Sequence, residues 1–477
     1  MDGDREPEKT SLEGADSKAL LDILRGSSTQ EFFEQVWQQR PQIFRYSHEI
    51  AIDTAGDGSD GTWNDDQIQE FPLKEVIKQR WHVLRNLLQQ VERSRVAHRF
   101  RDDTEPPPEH ETPLIFHERE LLSQDESQAM YGDSLFAPYL NGCSVVLNHG
   151  DLVSPWIAAL CQDLQKTFPH AYANCYLTPP NSQAVPPHAD DRDVLVIQLV
   201  GSKDWRVYQN VPVPFPYPHE QVGKQGLPVP TEILEGPTAL LTTMRPGDVL
   251  YMPRGFVHEA SCSRQLSFHV TVALATHDWT LAGMMSMATE AILTRTLDYR
   301  KSILPTLTDD SMNALQSKID SAIKMIQDEV TAENVMTGLK KRLEQHNHRA
   351  FPIRMKLIHE QRFPPDNQVA IDSPPTIGPQ AAHSVSFDSI VRAATPEERA
   401  TVTGMPGQAR GLHVREEIAD SILSIVSRLK SDPSMKCTVS EFRTLLPAEN
   451  PLVCDLALLS LAKQAVSLGA FAIVNKS

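Results

Sequence analysis

The spacing of apolar positions changes character along this chain, and each change marks a different kind of unit. From about residue 144 to 275 the pattern is that of strands. Residues 194–200 (Val-Leu-Val-Ile-Gln-Leu-Val) are apolar on nearly every position, as a strand covered on both faces must be. Gly201-Ser202 is a turn signal, and residues 205–208 (Trp-Arg-Val-Tyr) read as the returning strand. Upstream, Asn174 and Tyr176 share one face of a short strand that ends at Pro179-Pro180. From 279 to about 349 the period becomes helical. Leu281, Met284, Met285, Ala288, Ile292, Leu293 and Leu297 recur at helix-face spacing, as do Met312, Leu315, Ile319, Ala322, Ile323 and Ile326. The tail reads as helices over 418–429, 439–445 and 451–468, followed by a strand at 470–474.

Other segments act as punctuation. Residues 1–18 read as disordered, 53–66 and 102–113 as loops, and 361–382, with Pro364-Pro365, Pro374-Pro375 and Pro379, as a stiff linker. Phe32 to Trp37 belong to an amphipathic helix, and residues 71–96 look partly helical. The division this predicts is a unit over 19–278 with its core at about 140–278, a helical region over 279–360, the linker, and a C-terminal domain over 383–477.

Composition narrows the class. The chain has 477 residues and a formal charge of −17, which disfavours non-specific DNA binding and suits a basic partner. From Arg410 onward, 8 basic residues face 7 acidic ones, so the tail lacks the basic face that nucleic-acid binding needs. No run of 18 apolar residues exists, so no membrane span is expected. The N-terminus is charged and lacks an apolar signal core. Six cysteines with no Cys-x-x-Cys pair point to a reducing compartment and away from a zinc ribbon.

The chemistry concentrates in two segments. Pro186-Pro187-His188-Ala189-Asp190 supplies an imidazole and a carboxylate two residues apart, on one face of an extended chain. The segment from Pro246 to His258 brings a second imidazole. His188, Asp190 and His258 together are the ligand set of a non-haem Fe(II) oxygenase. Lys203 sits at the hairpin, and Tyr176 and Asn174 share a face of the strand upstream; a cation and a phenol beside an iron site suit the far carboxylate of a dicarboxylic keto acid. A second His-x-Asp, His149-Gly150-Asp151, sits between a strand and an apolar run and reads as a turn. His269 reads as a core histidine or one standing beside the ligands, because an oxygenase must leave a position open.

These residues carry a family resemblance. Tyr-Leu-Thr-Pro-Pro-Asn-Ser-Gln from Tyr176, Pro-Pro-His-x-Asp-Asp, Gln-Leu-x-Gly-x-Lys-x-Trp-Arg-x-Tyr, and Pro-Gly-Asp-x-x-Tyr-x-Pro-Arg-Gly-Phe-x-His ending at His258 closely resemble the ribosomal oxygenases of the JmjC superfamily. The resemblance implies an α+β protein: a double-stranded β-helix (jelly-roll, cupin-like) barrel, then helices that pair two copies into a homodimer, then a winged-helix-like domain. It implies Fe(II) on His188, Asp190 and His258, 2-oxoglutarate held by Lys203 and Tyr176 with Asn174 nearby, and molecular oxygen as co-substrate. Decarboxylation to succinate would accompany hydroxylation of a ribosomal protein, at histidine or arginine, in the nucleus or nucleolus, with the cytoplasm as the alternative address. Histone-lysine demethylation is the alternative activity. A metal cupin that uses no 2-oxoglutarate would keep the three ligands but not need Lys203. One departure is Ala273, where the family often has serine.

Overall fold

A computed structural model of the chain describes residues 17–45 (except 26), 72–99, 112–274 (except 184 and 225), 279–303, 309–360 and 375–474. The loop predicted at 53–66 lies outside these residues, as do nearly all of the N-terminal segment and most of the 102–113 loop and the linker. Among the described residues eleven strands form the first unit: β1 (Gln42–Phe44), β2 (Leu114–His117), β3 (Glu120–Leu121), β4 (Ser144–Leu147), β5 (Ala171–Thr178), β6 (Asp193–Gly201), β7 (Lys203–Tyr208), β8 (Thr238–Met244), β9 (Val249–Met252), β10 (His258–Ser261) and β11 (Ser267–Leu274). Eight make one antiparallel sheet in the order β1-β9-β6-β11-β5-β4-β2-β3; β10-β7-β8 make the second.

The near-continuous apolar run of β6 has a simple cause. Leu195, Ile197 and Leu199 face a large core shared with the helices, while Val194 and Val196 face inward. There they meet Leu250 and Met252 of the same sheet and Trp205, Val207 and Met244 of the other. A strand covered on both faces cannot afford alternation. The turn into β7 needs glycine: Gly201 has φ +65°, and a Cβ there would lie 1.7 Å from the Leu266 carbonyl oxygen. β5 alternates instead, with Ala171, Ala173, Cys175 and Leu177 buried outward and Tyr172, Asn174 and Tyr176 turned in.

Two buried ion pairs attach the later parts of the chain. Arg354, from the helix Ala350–Glu360, is 1% exposed and bonds Asp151 Oδ2 through Nε at 2.8 Å and the Ala171 carbonyl through Nη2 at 2.6 Å. The His149-Gly150-Asp151 turn is thus a structural anchor, with Asp151 also accepting from the Ala173 N–H. At the other seam, Lys463 lies 3.9 Å from Glu92 of the long helix Arg80–Arg99. The C-terminal part places helices around a three-stranded antiparallel sheet.

Several boundaries differ from the sequence reading. Ser17, assigned to the disordered segment, is buried, caps the helix Lys18–Leu24 and donates to Asp163. Residues 72–99 are helical almost throughout. The end of the expected linker is the helix Pro379–Ser384, with Pro at its first turn, where its missing N–H costs nothing, and Ala381 and Ala382 buried. Residues 439–445 form a 3-10 turn. The last long helix starts at Asp455 because Asn450 accepts from the Leu452 N–H and holds 450–452 as a turn.

Candidate metal centre

His188 lies between β5 and β6 and belongs to no strand, yet it is bridged to the start of β10. The His188 N–H donates to the His258 carbonyl at 3.1 Å and the His258 N–H returns the bond at 2.9 Å. Extended alternation holds across the motif: Ala189 is buried against Val222 and Val257, while His188 and Asp190 face the cavity. The ligand atoms of His188, Asp190 and His258 all lie within 4.8 Å of one another; among the described residues no other such cluster of three occurs.

The tautomers are set by the backbone. His188 Nδ1 bonds the Pro186 carbonyl at 2.8 Å and His258 Nδ1 the Phe256 carbonyl at 3.0 Å. Each ring therefore donates from Nδ1 and keeps its Nε2 lone pair for the centre, as a ligating imidazole requires. The Nε2 atoms stand 3.6 and 3.8 Å from the Asp190 oxygens. Burial pushes both imidazoles down, His188 to about 3, with Lys224 adding to the effect. Burial opposes the charge of Asp190, but Lys224 and the two imidazoles outweigh it and hold the carboxyl well below the usual range. Two neutral imidazoles and an ionised carboxylate are the protonation states that a divalent cation needs.

The same cavity is lined by Tyr176, Lys203, Trp205 and His269. Lys203 is 3% exposed, and its ammonium makes one bond, to Thr178 Oγ1 at 3.2 Å. No carboxylate pairs with it among the described residues, and burial lowers its pKa. Tyr176 is pushed up by burial and by Asp190. Asn174 Oδ1 accepts from the His149 N–H at 3.1 Å, so part of its capacity is already used. His269 stands outside the cluster of three: it stacks on Tyr176 with ring centroids 4.7 Å apart, and burial holds it well below its ordinary pKa. Ala273 pairs with Tyr172 across β11 and β5 and puts a methyl group where the resemblance leads one to expect a hydroxyl.

Sequence reasoning missed Lys224, which donates to Asp190 Oδ1 at 2.5 Å. It lies in a stretch marked only by its prolines, where no periodicity points to a partner. Thr178 and Trp205 were also passed over; Thr178 was legible in principle, as the next inward-facing residue after Tyr176 on β5.

Two facing antiparallel sheets with such a centre between them define a cupin-like barrel, and the JmjC domain family matches residues 145–281. Within that class, the resemblance to ribosomal oxygenases holds. The chain is 35% identical to ribosomal oxygenase 1 of Rattus norvegicus over 184 residues, 38% of this chain and 30% of that protein. The Homo sapiens protein of the same name matches at 35% over 184 residues, 28% of its length. The bifunctional lysine-specific demethylase and histidyl-hydroxylase NO66 of Dictyostelium discoideum is 36% identical over 145 residues, 30% of this chain and 27% of that one. The chain thus aligns with less than a third of the length of each of these relatives. The solved structure of YcfD, a ribosomal oxygenase from Escherichia coli, aligns at 14% identity over 94% of this chain and 99% of that one, with a TM-score of 0.37.

Proposed function

We propose that this chain is an Fe(II)- and 2-oxoglutarate-dependent oxygenase that hydroxylates a protein side chain, with a ribosomal protein histidine as the leading target. The observation that carries the reading is the pairing, in one cavity, of three convergent ligands with a buried ammonium that no carboxylate among the described residues pairs. A buried charge is stable only when compensated. The far carboxylate of a dicarboxylic keto acid would supply that compensation at Lys203, with the Tyr176 hydroxyl as a second donor.

The donor set fits iron: two imidazoles and one carboxylate are suited to non-haem Fe(II). When bound, iron with 2-oxoglutarate and oxygen supplies the oxidant for a C–H bond, the cosubstrate leaving as succinate and carbon dioxide. The chain's own residues do the rest. The Pro186 and Phe256 carbonyls orient the imidazoles, Lys203 and Thr178 set the depth of the cosubstrate, and the apolar wall of Val194, Val196 and Met252 keeps water away. Relatives bear both hydroxylase and demethylase names, and the same ligands serve either reaction, so the methylated-lysine reading is the second arm of the test.

The helical region supports pairing of two copies. Leu281, Leu297, Met312 and Ile323 expose 73, 74, 52 and 48% of their surface, although their spacing was that of a covered face. A second copy of the chain is the occupant we propose for that face, and a nuclear address goes with the ribosomal target. The experiment is succinate release with iron, 2-oxoglutarate and oxygen, followed by mass spectrometry of ribosomal peptides and methylated histone peptides. A gain of about 16 Da on a ribosomal histidine is the expected result. Undiminished turnover in both His188→Ala and Asp190→Ala would falsify the iron assignment.

A further inference from the structure

Asp190 is shared. One of its oxygens, Oδ1, takes the Lys224 ammonium at 2.5 Å, and Oδ2 faces His258 Nε2 at 3.8 Å. Lys224 comes from the connection between β7 and β8, a segment with no part in the ligand motifs. Its position is built into the backbone. The Ala189 N–H, between the two ligands, donates to the Val222 carbonyl at 3.0 Å. Lys224 and Leu227 are bridged, and the Gly223 N–H donates to the Leu227 carbonyl at 2.5 Å. Gly223 has φ +77°, and a Cβ there would stand 2.3 Å from the Pro187 carbonyl oxygen and 2.7 Å from His188 Cα. Only glycine lets this turn press so closely against the ligand segment, and the residue after it is delivered onto the carboxylate.

We propose that Lys224 is a tethered cation that shares Asp190 with the metal ion and sets the ion's affinity, which makes it a positioning residue for the centre. This rests on the metal reading of the site. A fixed positive charge in contact with a ligating carboxylate repels a divalent ion bound to the same group, and it commits one of the two oxygens that the ion could use. The side chain is about one-third exposed, so screening moderates the effect without removing it. The connection that carries Lys224 thereby couples the insertion between β7 and β8 to the hold on the ion.

The test is metal binding by the full-length chain, read without turnover. Mn(II) is titrated into the metal-free protein and the free ion followed by electron paramagnetic resonance, in wild type, Lys224→Met, Lys224→Arg and His258→Ala. Lys224→Met is expected to bind Mn(II) about tenfold more tightly. Lys224→Arg, which keeps the charge, should stay within about twofold of wild type. The Co(II)-substituted Lys224→Met protein should also show altered d–d absorption, because both Asp190 oxygens become available. If Mn(II) binds wild type and Lys224→Met equally, or the variant more weakly, the lysine is not a competitor and the inference falls. If His258→Ala binds Mn(II) as wild type does, it is the metal reading itself that has failed.

Discussion

Two lysines are buried in this protein to almost the same extent, and they live in opposite circumstances. Lys463, 2% exposed at the seam between the C-terminal part and the helix Arg80–Arg99, is surrounded by partners. It donates to the Ala382 and His383 carbonyls at 3.0 and 3.3 Å, lies 3.9 Å from Glu92 and sits over the Phe136 ring at 4.8 Å. Glu92 in turn accepts from the Leu135 N–H at 2.6 Å and the Ser134 hydroxyl at 3.0 Å. Lys203, 3% exposed on the cavity wall, has one threonine hydroxyl. Where the fold satisfies a buried charge from within, the charge serves the fold. Where it leaves the charge short of partners, as at Lys203, the partner we propose comes from outside.

Each lysine can be removed, and the two removals should fail in different ways. Lys463→Met should give the largest change: it leaves Glu92 buried without its ammonium, with His383 at 3.5 Å as the remaining ionisable neighbour, a loss of up to about 3–5 kcal/mol of stability. Denaturant unfolding measures it, and Glu92→Gln in the same chain should restore part of the loss, since the amide still accepts from Leu135 without carrying a charge. Binding of 2-oxoglutarate to the folded protein should not change. A Lys463→Met protein as stable as wild type would erase the contrast.

Lys203→Met reverses the outcome. Its proposed contact with the far carboxylate is a charge-assisted bond of about 1.5–3 kcal/mol, so the affinity for 2-oxoglutarate should fall at least about tenfold. Stability should hold or rise, because an undercompensated charge leaves the interior. Calorimetric titration with 2-oxoglutarate in the presence of Mn(II) reads the first, thermal unfolding the second. Unchanged affinity would make Lys203 a hairpin residue. Tyr176→Phe acts on the same affinity more weakly, by about 0.5–1.5 kcal/mol, since it deletes a hydroxyl and keeps the ring that stacks on His269.

The contrast also explains what could be read before the structure. The cavity residues sit at fixed local offsets: His188 and Asp190 two apart on an extended segment, Tyr176 inward on β5, Lys203 just past the Gly201 turn. Local spacing and turn chemistry suffice to place them. The strands themselves were legible because β6 is apolar on both faces. Lys463 and Glu92 are 371 positions apart in sequence, and Arg354 is 203 from Asp151. Nothing local marks such pairs, because each partner occurs alone on an otherwise ordinary helix or turn. Lys224 escaped for the same reason, reaching Asp190 through a turn whose fit depends on Gly223. The exposed faces of the helical region show the limit of periodicity: the spacing of Leu281 and Met312 predicts an apolar stripe but not what covers it.

The smallest expected effect is a pH dependence that separates the two lysines once more. Burial holds Lys203 below its ordinary value of 10.5. Between its folded value and 10.5 the unfolded chain binds the proton more than the folded one does, so this group adds stability to the free protein as pH rises through that window. Affinity for 2-oxoglutarate runs the other way, because the charge lost is the one that meets the carboxylate. Lys463 stands at about 8, pushed down by burial against the opposing pull of Glu92, so its window runs from about 8 to 10.5 with the same sign for stability. It has no counterpart in affinity, since its anion is part of the protein. Titrating 2-oxoglutarate at rising pH up to 10.5 in wild type and in Lys203→Met should therefore show affinity declining with pH in the first and level in the second. An equal decline in both would assign the pH dependence to another group, and the ammonium would no longer distinguish the cavity from the seam.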